Sequence, residues 1–153
     1  MRIHVRLAQV TDLIELTQMR ALLWPDGSVE EHKQELSSAF AGEPVSTLPG
    51  ATFVAASEDG AQVGFLEAGL RSHADGCDPL RPVGFVEGWF VDEAYRGRGI
   101  GKELLRAAED WARSQGCREM ASDALIDNET SINAHTALGF KVVDRCVHFR
   151  KEL

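Results

Sequence analysis

The hydrophobic pattern of the first forty residues predicts one strand and two helices. Apolar and polar residues alternate over residues 3–7, which predicts an opening strand. Apolar residues then recur every three or four positions from Leu13 to Leu23, which indicates a helix. That helix should stop at Trp24-Pro25, because proline cannot continue the helical hydrogen-bond ladder. The segment Ser28-Val29-Glu30-Glu31 has the form of a capping box and predicts a second helix to about Phe40.

The middle of the chain predicts a hairpin followed by a buried strand. Residues 42–50 contain two prolines and are predicted to form a loop. Thr52–Ser57 and Gln62–Leu70 predict two strands, joined by a turn at Glu58-Asp59-Gly60. After a polar loop, the apolar run Val83–Val91 predicts a third strand of this group.

The last third alternates again between helix and strand. Ile100–Trp111 has the pattern of an amphipathic helix, and Arg118–Asp123 that of a short strand. Asn128–Leu138 predicts a final helix that ends at Gly139, and Lys141–Phe149 predicts one or two closing strands. The order of elements predicts a mixed α/β fold with a single sheet covered by helices. No linker is long enough to divide the 153 residues, so we expect a single domain.

A glycine-rich segment joins the strand Val83–Val91 to the following helix. Its sequence is Arg96-Gly97-Arg98-Gly99-Ile100-Gly101-Lys102. Backbone N–H groups in such a loop are not shielded by side chains, and together with the N-terminus of the helix they form a phosphate-binding site. The cations Arg96, Arg98 and Lys102 strengthen it. We therefore predict that a phosphorylated cofactor binds here; the plain alternative is a glycine-rich turn that charge keeps soluble.

The spacing of this loop excludes two common phosphate loops. The P-loop requires G-x-x-x-x-G-K-[ST], but Arg96 stands at the first glycine position and Glu103 follows Lys102. The dinucleotide fingerprint G-x-G-x-x-G requires a third glycine where Lys102 stands. The pattern that fits is R-x-x-G-x-G, read as Arg96, Gly99 and Gly101.

With this pattern and this order of elements, the chain resembles the GNAT superfamily of N-acetyltransferases from end to end. The resemblance implies a mixed, mostly antiparallel sheet of about six to seven strands flanked by about four helices, with acetyl-CoA as co-substrate. It implies that the strand before the loop diverges from its neighbour, so that the pantetheine arm pairs with backbone at Trp89, Phe90 and Val91. The diphosphate would then lie on Arg96 and the backbone of Gly97–Lys102. The last helix of the family carries an asparagine and then a tyrosine; here Asn128 is in register, and His135 takes the tyrosine position.

Further segments are similar to the aminoglycoside 6′-N-acetyltransferases of the chromosomal, dimeric type. They include Leu22-Leu23-Trp24-Pro25, Pro82–Gly88 and Gly116–Asp123. This resemblance implies acetyl transfer from acetyl-CoA to the 6′-amino group of an aminoglycoside by direct attack, antibiotic resistance as the result, and a homodimer. The family often has an aromatic residue before a Val-Asn-Gly-Cys stretch. Here the loop is His73-Ala74-Asp75-Gly76-Cys77, which puts the range of accepted drugs in question.

Composition narrows the class of partner. A net charge of −8 and a pI near 5.1 argue against nucleic acid, but they fit a polycationic substrate if acidic residues converge at one site. The three cysteines are widely spaced and predict neither a disulfide framework nor a zinc site, so we interpret them as buried thiols and expect no metal. No apolar run has the length of a membrane span, and the start lacks a signal-peptide core. The bacterial cytoplasm is therefore the expected location.

Three carboxylates from separate segments are candidates for holding a cationic substrate. Glu87 lies in the strand before the loop and should face the groove if Trp89 and Val91 follow its pleat. Asp123 ends the next strand, where sites of parallel strands open. Asp144 matches a substrate carboxylate of the resembled family. Glu87 or Asp123 is predicted to accept the amine proton, directly or through water; for each acid alone, the simpler alternative is a solvated surface charge.

The remaining candidates each keep a structural alternative. The resemblance implies that Trp24 offers an apolar face to a sugar ring; the alternative is a core residue at a helix end. His135 is expected to polarise the thioester or to steady the leaving sulfur, or else to be an ordinary histidine on a helix face. His73 is expected to line the substrate loop, or else to be solvated. Two other functions stay open: the same chemistry on a polyamine or a protein N-terminus, and a non-catalytic acyl-CoA-binding module.

Overall fold

The computed structural model describes residues 2–43 and 48–153. The strands are β1 (Ile3–Leu7), β2 (Gly50–Ser57), β3 (Gln62–Arg71), β4 (Val83–Val91) and β5 (Met120–Ser122). The α-helices are α1 (Leu13–Leu23), α2 (Val29–Phe40), α3 (Ile100–Ser114) and α4 (Glu129–Ala137). Two short 3₁₀ turns, Val10–Asp12 and Glu93–Tyr95, precede α1 and the glycine-rich loop. Four residues of the predicted loop 42–50, residues 44–47, lie outside the described part.

Local signals set the ends of the helices as predicted. α1 ends at Leu23, directly before Trp24-Pro25. Ser28 precedes α2, and its hydroxyl accepts a hydrogen bond from the Glu31 N–H at 3.1 Å. Asn128 precedes α4 in the same way, since its side-chain oxygen accepts from the Ser131 N–H at 3.1 Å.

The strands form one sheet in the order β1-β2-β3-β4-β5. All neighbours are antiparallel except β4 and β5, which run parallel. The described residues therefore confirm the mixed α/β fold, with five strands instead of six to seven. The strands predicted over Lys141–Phe149 are wrong, because a strand requires a neighbouring backbone and the described residues give this segment none.

Helices cover both faces of the sheet. α3 packs on one face, where its buried residues Ile100, Leu104, Leu105 and Ala108 join apolar side chains of β2, β3 and β4. α1 and α2 cover the other face through Leu16, Met19 and Leu36, which pack on Val54 and Phe65. Alternation along each strand sends neighbouring side chains to opposite faces, so apolar residues are buried on both faces of the sheet.

A β-bulge interrupts the pairing of β3 with β4. Glu67 pairs with Gly88 and Ala68 pairs with Val86, so Glu87 is an extra residue without a partner across β3. A bulge turns the affected side chains and breaks the simple alternation of the strand. The charged side chain of Glu87 is exposed in an otherwise buried stretch because of it.

The pairing of β4 with β5 is short. It covers only Gly84–Val86 and Met120–Ser122. From Glu87 and Asp123 onward the two strands have no ladder between them. The divergence that the resemblance implied is therefore present, and it begins at the two acids that the sequence singled out.

Candidate active site

The glycine-rich loop presents open backbone at the N-terminus of α3. Gly97 and Gly99 adopt positive φ angles of 74° and 80°. A Cβ at either position would meet no atom within 4 Å, so the space above this backbone is free for a ligand. The loop is anchored at its start, because Arg96 Nε donates to the Val91 carbonyl oxygen at 2.9 Å. Open N–H groups at the positive end of a 15-residue helix are suited to an anion.

The three loop cations are exposed. The guanidinium carbon of Arg98 lies 5.4 Å from the centre of the Tyr95 ring, which holds this side chain at the loop. Arg96 and Lys102 are exposed on either side of the glycines. The structure thus brings together the backbone and the charges that the loop sequence predicted.

Glu87 is paired with a cation. Arg71 donates from Nε and Nη2 to the two carboxylate oxygens of Glu87, at 3.1 and 2.9 Å. Its guanidinium carbon lies 3.5 Å from the centre of the Phe85 ring. These hydrogen bonds raise the pKa of Arg71, and the nearby charge of Asp123 contributes further. Arg71 therefore stays charged, paired with Glu87 and influenced by the charge of Asp123.

The prediction that Glu87 lies on the same face of β4 as Trp89 and Val91 is wrong. Trp89 and Val91 pack into the core beneath α3. Glu87 instead lies against Arg71, and its Oε1 would be 3.6 Å from a Cβ at Gly69. The bulge at Glu87 causes this difference. The carboxylate consequently belongs to the face of the sheet that α1 covers.

His135 spans the gap between β4 and β5. Its ring packs edge-on to Trp89 of β4, with centroids 5.3 Å apart, and its Nε2 lies 2.7 Å from the Ser122 hydroxyl of β5. Its Nδ1 lies 2.7 Å from the Ser131 carbonyl oxygen, which can only accept, so Nδ1 carries the proton. In the neutral ring Nε2 must then accept from Ser122. A neutral His135 in this position cannot donate a hydrogen bond to a thioester carbonyl.

Trp24 follows α1 and lies on β4. Its ring stacks near His32 at 6.3 Å between centroids and meets the edge of Phe65 at the same distance. A Cβ at Gly88 would come within 2.6 Å of Trp24 Cζ2, so the indole lies directly on the β4 backbone next to Glu87. Trp24 is a partly buried helix-end residue and also a wall beside the acids.

Three of the predicted residues are not joined to this cluster. His73 is exposed and lies 3.8 Å from Asp75. Asp144 is exposed, and its Oδ1 accepts from the Arg145 N–H at 2.7 Å. Asn128 uses its side chain to cap α4. The polar contacts of each of these three residues within the described ranges are with groups a few positions away in the sequence.

The cysteines differ from one another. Cys117 is buried, Cys77 is half-buried and Cys146 is exposed, so the interpretation as three buried thiols is wrong for Cys146. Burial raises the pKa of the Cys117 thiol; burial and the charge of Glu119 raise that of Cys77. Neither of these two is an activated nucleophile. Among the described residues no group of three or more His, Cys, Asp or Glu is placed to hold a metal ion.

Two residues of the site had no predicted role. Arg71 stands at the end of β3, and only the register of β3 with β4 places it against Glu87. Ser122 is the last paired residue of β5, and only the packing of α4 brings His135 to it. One signal for Arg71 was available in the sequence. Arg71 is four residues after Glu67, so the alternation of a strand places both side chains on the same face of β3.

Comparison with known proteins decides the family. The model of the acetyltransferase (GNAT) family matches residues 16–140. The chain belongs to the GNAT family.

Curated relatives of this GNAT chain cover nearly all of it. An aminoglycoside N(6′)-acetyltransferase type 1 of Klebsiella aerogenes is 40% identical over 149 residues, which are 97% of this chain and 96% of the relative. A protein of the same name from Stenotrophomonas maltophilia is 39% identical over 151 residues, which are 97% of this chain and 93% of the relative.

Solved structures agree with the GNAT assignment along the whole chain. AAC(6′)-Iy in complex with the bisubstrate analogue CoA-S-monomethyl-acetylneamine superposes with a TM-score of 0.88 at 33% identity and covers 100% of both chains. The aminoglycoside 6′-N-acetyltransferase AAC(6′)-Ih from Acinetobacter baumannii superposes with a TM-score of 0.86 at 32% identity and covers 99% of both.

Proposed function

We propose that this protein transfers the acetyl group of acetyl-CoA to the 6′-amino group of aminoglycoside antibiotics and so confers resistance to them. The single observation that carries the proposal is the end of the β4–β5 pairing directly before Glu87 and Asp123, on the strand that leads into the open glycine loop. The names of relatives at 39–40% identity over nearly the full chain support the same reaction.

The residues present fit coenzyme A. Gly97 and Gly99 leave open space above their backbone at the N-terminus of α3, where a diphosphate can approach the N–H groups. We assign the diphosphate to the backbone of Gly97–Lys102 and to Arg96. The gap beside Trp89, Phe90 and Val91 then receives the pantetheine arm, because β4 has no β5 partner there. The similar structures of AAC(6′)-Iy hold CoA in one case and a CoA-linked bisubstrate analogue in another.

The acids fit a polycation. Glu87 and Asp123 carry two negative charges against the one positive charge of Arg71, so the cluster attracts ammonium groups. Trp24 borders it with an apolar surface on which a sugar ring can lie. We also assign His73 and Asp144 to the substrate side, on the resemblance described above.

The two acids are proposed to divide the chemistry. Acetyl-CoA supplies the acetyl group as a thioester, and the substrate amine must lose a proton to attack it. Both carboxylate oxygens of Glu87 accept hydrogen bonds from Arg71, which holds this carboxylate in place. We assign Glu87 to binding and Asp123 to proton removal, directly or through a water. The amine nitrogen then bonds to the acetyl carbon, the C–S bond breaks, and the second proton lost by the nitrogen goes to the departing thiolate of coenzyme A. His135 and Ser122, which span the gap, are assigned to this sulfur end.

The test is an assay of free thiol released from acetyl-CoA with the purified protein and kanamycin or tobramycin. Turnover well above the rate without drug is expected, and mass spectrometry should show one added acetyl group. Paromomycin, which carries a hydroxyl in place of the 6′-amine, is the matched control and should be inactive. Turnover of spermidine but not of the drugs would replace the proposal by a polyamine acetyltransferase. Absence of turnover with every amine, despite CoA binding, would favour a non-catalytic module.

We further propose that the protein acts as a homodimer. Residues 141–153 form no helix or strand, yet Val143, Val147 and Phe149 expose 65%, 68% and 93% of their surface. Exposed apolar side chains grouped in one segment are typical of an interface, and a second copy is the partner that a dimeric family implies. Light scattering during gel filtration should give twice the chain mass. A monomer at all concentrations would refute the dimer.

Location and domain organisation remain predictions. No helix within the described ranges is long and apolar enough to cross a membrane. We propose that the 153 residues act as one catalytic domain in the bacterial cytoplasm. Fractionation of cells that express the protein tests the location.

A further inference from the structure

A buried arginine connects α1, α2 and β3 beside the proposed substrate site. Arg20 donates from Nη1 to Glu67 Oε1 at 2.7 Å and from Nη2 to Glu35 Oε2 at 2.6 Å. The side chains of Arg20 and Glu67 expose only 12% and 16% of their surface. None of the reaction steps assigned above uses this network.

Stability gives no sufficient reason for it. Removing two charges from water costs about as much as their attraction returns, so a buried ion pair seldom adds net stability. Arg20 Nε is also buried and has no hydrogen-bond partner within residues 2–43 and 48–153, which adds a further cost. A group kept at such a cost is better explained by what it holds in place.

What Arg20 holds is the indole of Trp24. Arg20 lies in the last turn of α1, and Trp24 directly follows the helix and donates its backbone N–H to the Arg20 carbonyl oxygen at 2.8 Å. The guanidinium carbon lies 5.1 Å from the centre of the indole, while His32 stacks against the same indole with an interplanar angle of 27°. His32 Nε2 donates to the Trp24 carbonyl oxygen at 3.0 Å, which fixes the backbone as well. Because Glu67 and Glu35 hold both arms of Arg20, the guanidinium cannot turn away from the ring.

The clamped ring lies beside the acids. Trp24 rests on Gly88, the residue after Glu87, and Gly88 pairs in register with Glu67. Glu67, which binds Arg20, and Gly88, which contacts Trp24, are therefore directly opposite each other on neighbouring strands. We propose that Arg20, anchored by Glu67 and Glu35, is a positioning residue that holds Trp24 as the wall of the aminoglycoside site. This inference rests on the proposed function for its substrate.

Steady-state kinetics of Arg20→Met test the proposal against a matched control. Arg6→Met removes another paired guanidinium, which bonds Asp12 at 2.7 and 2.9 Å at the opposite edge of the sheet. Arg20→Met should raise KM for kanamycin by about tenfold and leave KM for acetyl-CoA within about twofold. Arg6→Met should change neither. An equal rise of both KM values, or an equal effect of the control, would overturn the proposal.

A double-mutant cycle separates positioning from a general loss of structure. If Arg20 acts through Trp24, then Arg20→Met should add almost nothing to the rise in KM that Trp24→Ala causes alone. Two effects that multiply would show that Arg20 acts independently of the ring and would overturn the proposal.

An NMR readout does not depend on turnover. The Trp24 indole N–H signal, assigned with Trp24→Phe, should shift or broaden in Arg20→Met and stay in place in Arg6→Met. An unchanged signal in Arg20→Met overturns the clamp. If the wild-type protein acetylates no aminoglycoside but the signal still moves, the clamp stands and the proposed substrate fails, so the two failures are distinguishable.

Discussion

Trp24 lies directly on Gly88, and a Cβ at Gly88 would come within 2.6 Å of Trp24 Cζ2. Only glycine allows the indole to reach the β4 backbone at this point. The contact joins the end of α1 to the strand that carries Glu87, so the helix layer shapes the site on the sheet.

Gly88→Ala should therefore disturb substrate binding through Trp24. The added methyl forces the ring away, which we expect to cost about 1–3 kcal/mol of stability and to raise KM for the aminoglycoside by about fivefold or more. Denaturant unfolding and steady-state kinetics measure the two effects. Gly69→Ala is the control, because its methyl would meet no atom closer than 3.6 Å on the same face. Equal kinetics for the two variants would contradict the role of the contact.

Gly99→Val should abolish binding of coenzyme A. The valine side chain would fill the open space above the loop that we assign to the diphosphate, and φ of +80° strains any branched residue. Gly116→Val is the matched control, since Gly116 has φ of +87° with no atom within 4 Å and lies after the other end of α3. Calorimetry should show lost affinity only for Gly99→Val. Unaltered affinity in that variant would contradict the loop assignment.

Glu87→Gln and Asp123→Asn should change different kinetic constants. Loss of the Glu87 charge should raise KM for the cationic substrate by about tenfold with little change in acetyl-CoA affinity. Loss of the proposed base at Asp123 should lower kcat by about a hundredfold or more. Glu103→Gln, which removes an exposed charge paired with Arg106 on α3, should leave both constants unchanged. The reverse pattern of KM and kcat would exchange the roles of the two acids.

Asp12 should make stability depend on pH. The hydrogen bond from Arg6 lowers the pKa of Asp12, outweighing the opposite effect of burial, and the Gln9 N–H adds to the lowering. A carboxyl with a lowered pKa stabilises the fold above its unfolded pKa of about 3.9, and this stabilisation disappears as the pH falls through the folded pKa. Asp12→Asn should be less stable than wild type at pH near 7 by about 1–3 kcal/mol, with a difference that shrinks below pH of about 4.

Urea unfolding at several pH values measures this difference. Asp110→Asn is the control, because Asp110 forms an exposed pair with Arg113 and surface pairs contribute little. A gap between Asp12→Asn and wild type that stays constant down to the lowest pH would show that charge is not the cause.

The sequence predicted most of the elements, because their ends depend on local chemistry. Trp24-Pro25 ends α1, Ser28 begins α2 and Asn128 begins α4, and each of these signals lies within a few residues of the boundary that it sets. The glycine loop was recognisable for the same reason. Its spacing alone excluded the other phosphate loops.

The details that depend on register were not predictable. The bulge at Glu87 follows from how β3 pairs with β4, and a period-two pattern cannot show an extra residue. Arg71 reaches Glu87, and Ser122 reaches His135, only through tertiary packing. The closing strands failed because the alternation over Lys141–Phe149 shows a capacity to pair, whereas pairing needs a partner edge.

The early separation of β4 from β5 also has a thermodynamic cost. Backbone groups beyond Val86 that point toward β5 have lost the neighbours that a complete sheet would give them. An extended ligand with amide groups that binds in this gap would hydrogen-bond to β4 as a neighbouring strand does. Because such a ligand binds only the folded protein, its binding free energy adds to the thermal stability of the fold. The acyl donor would thus be a structural component as well as a reagent. The protein should have its lowest thermal stability after one donor has left and before the next has bound.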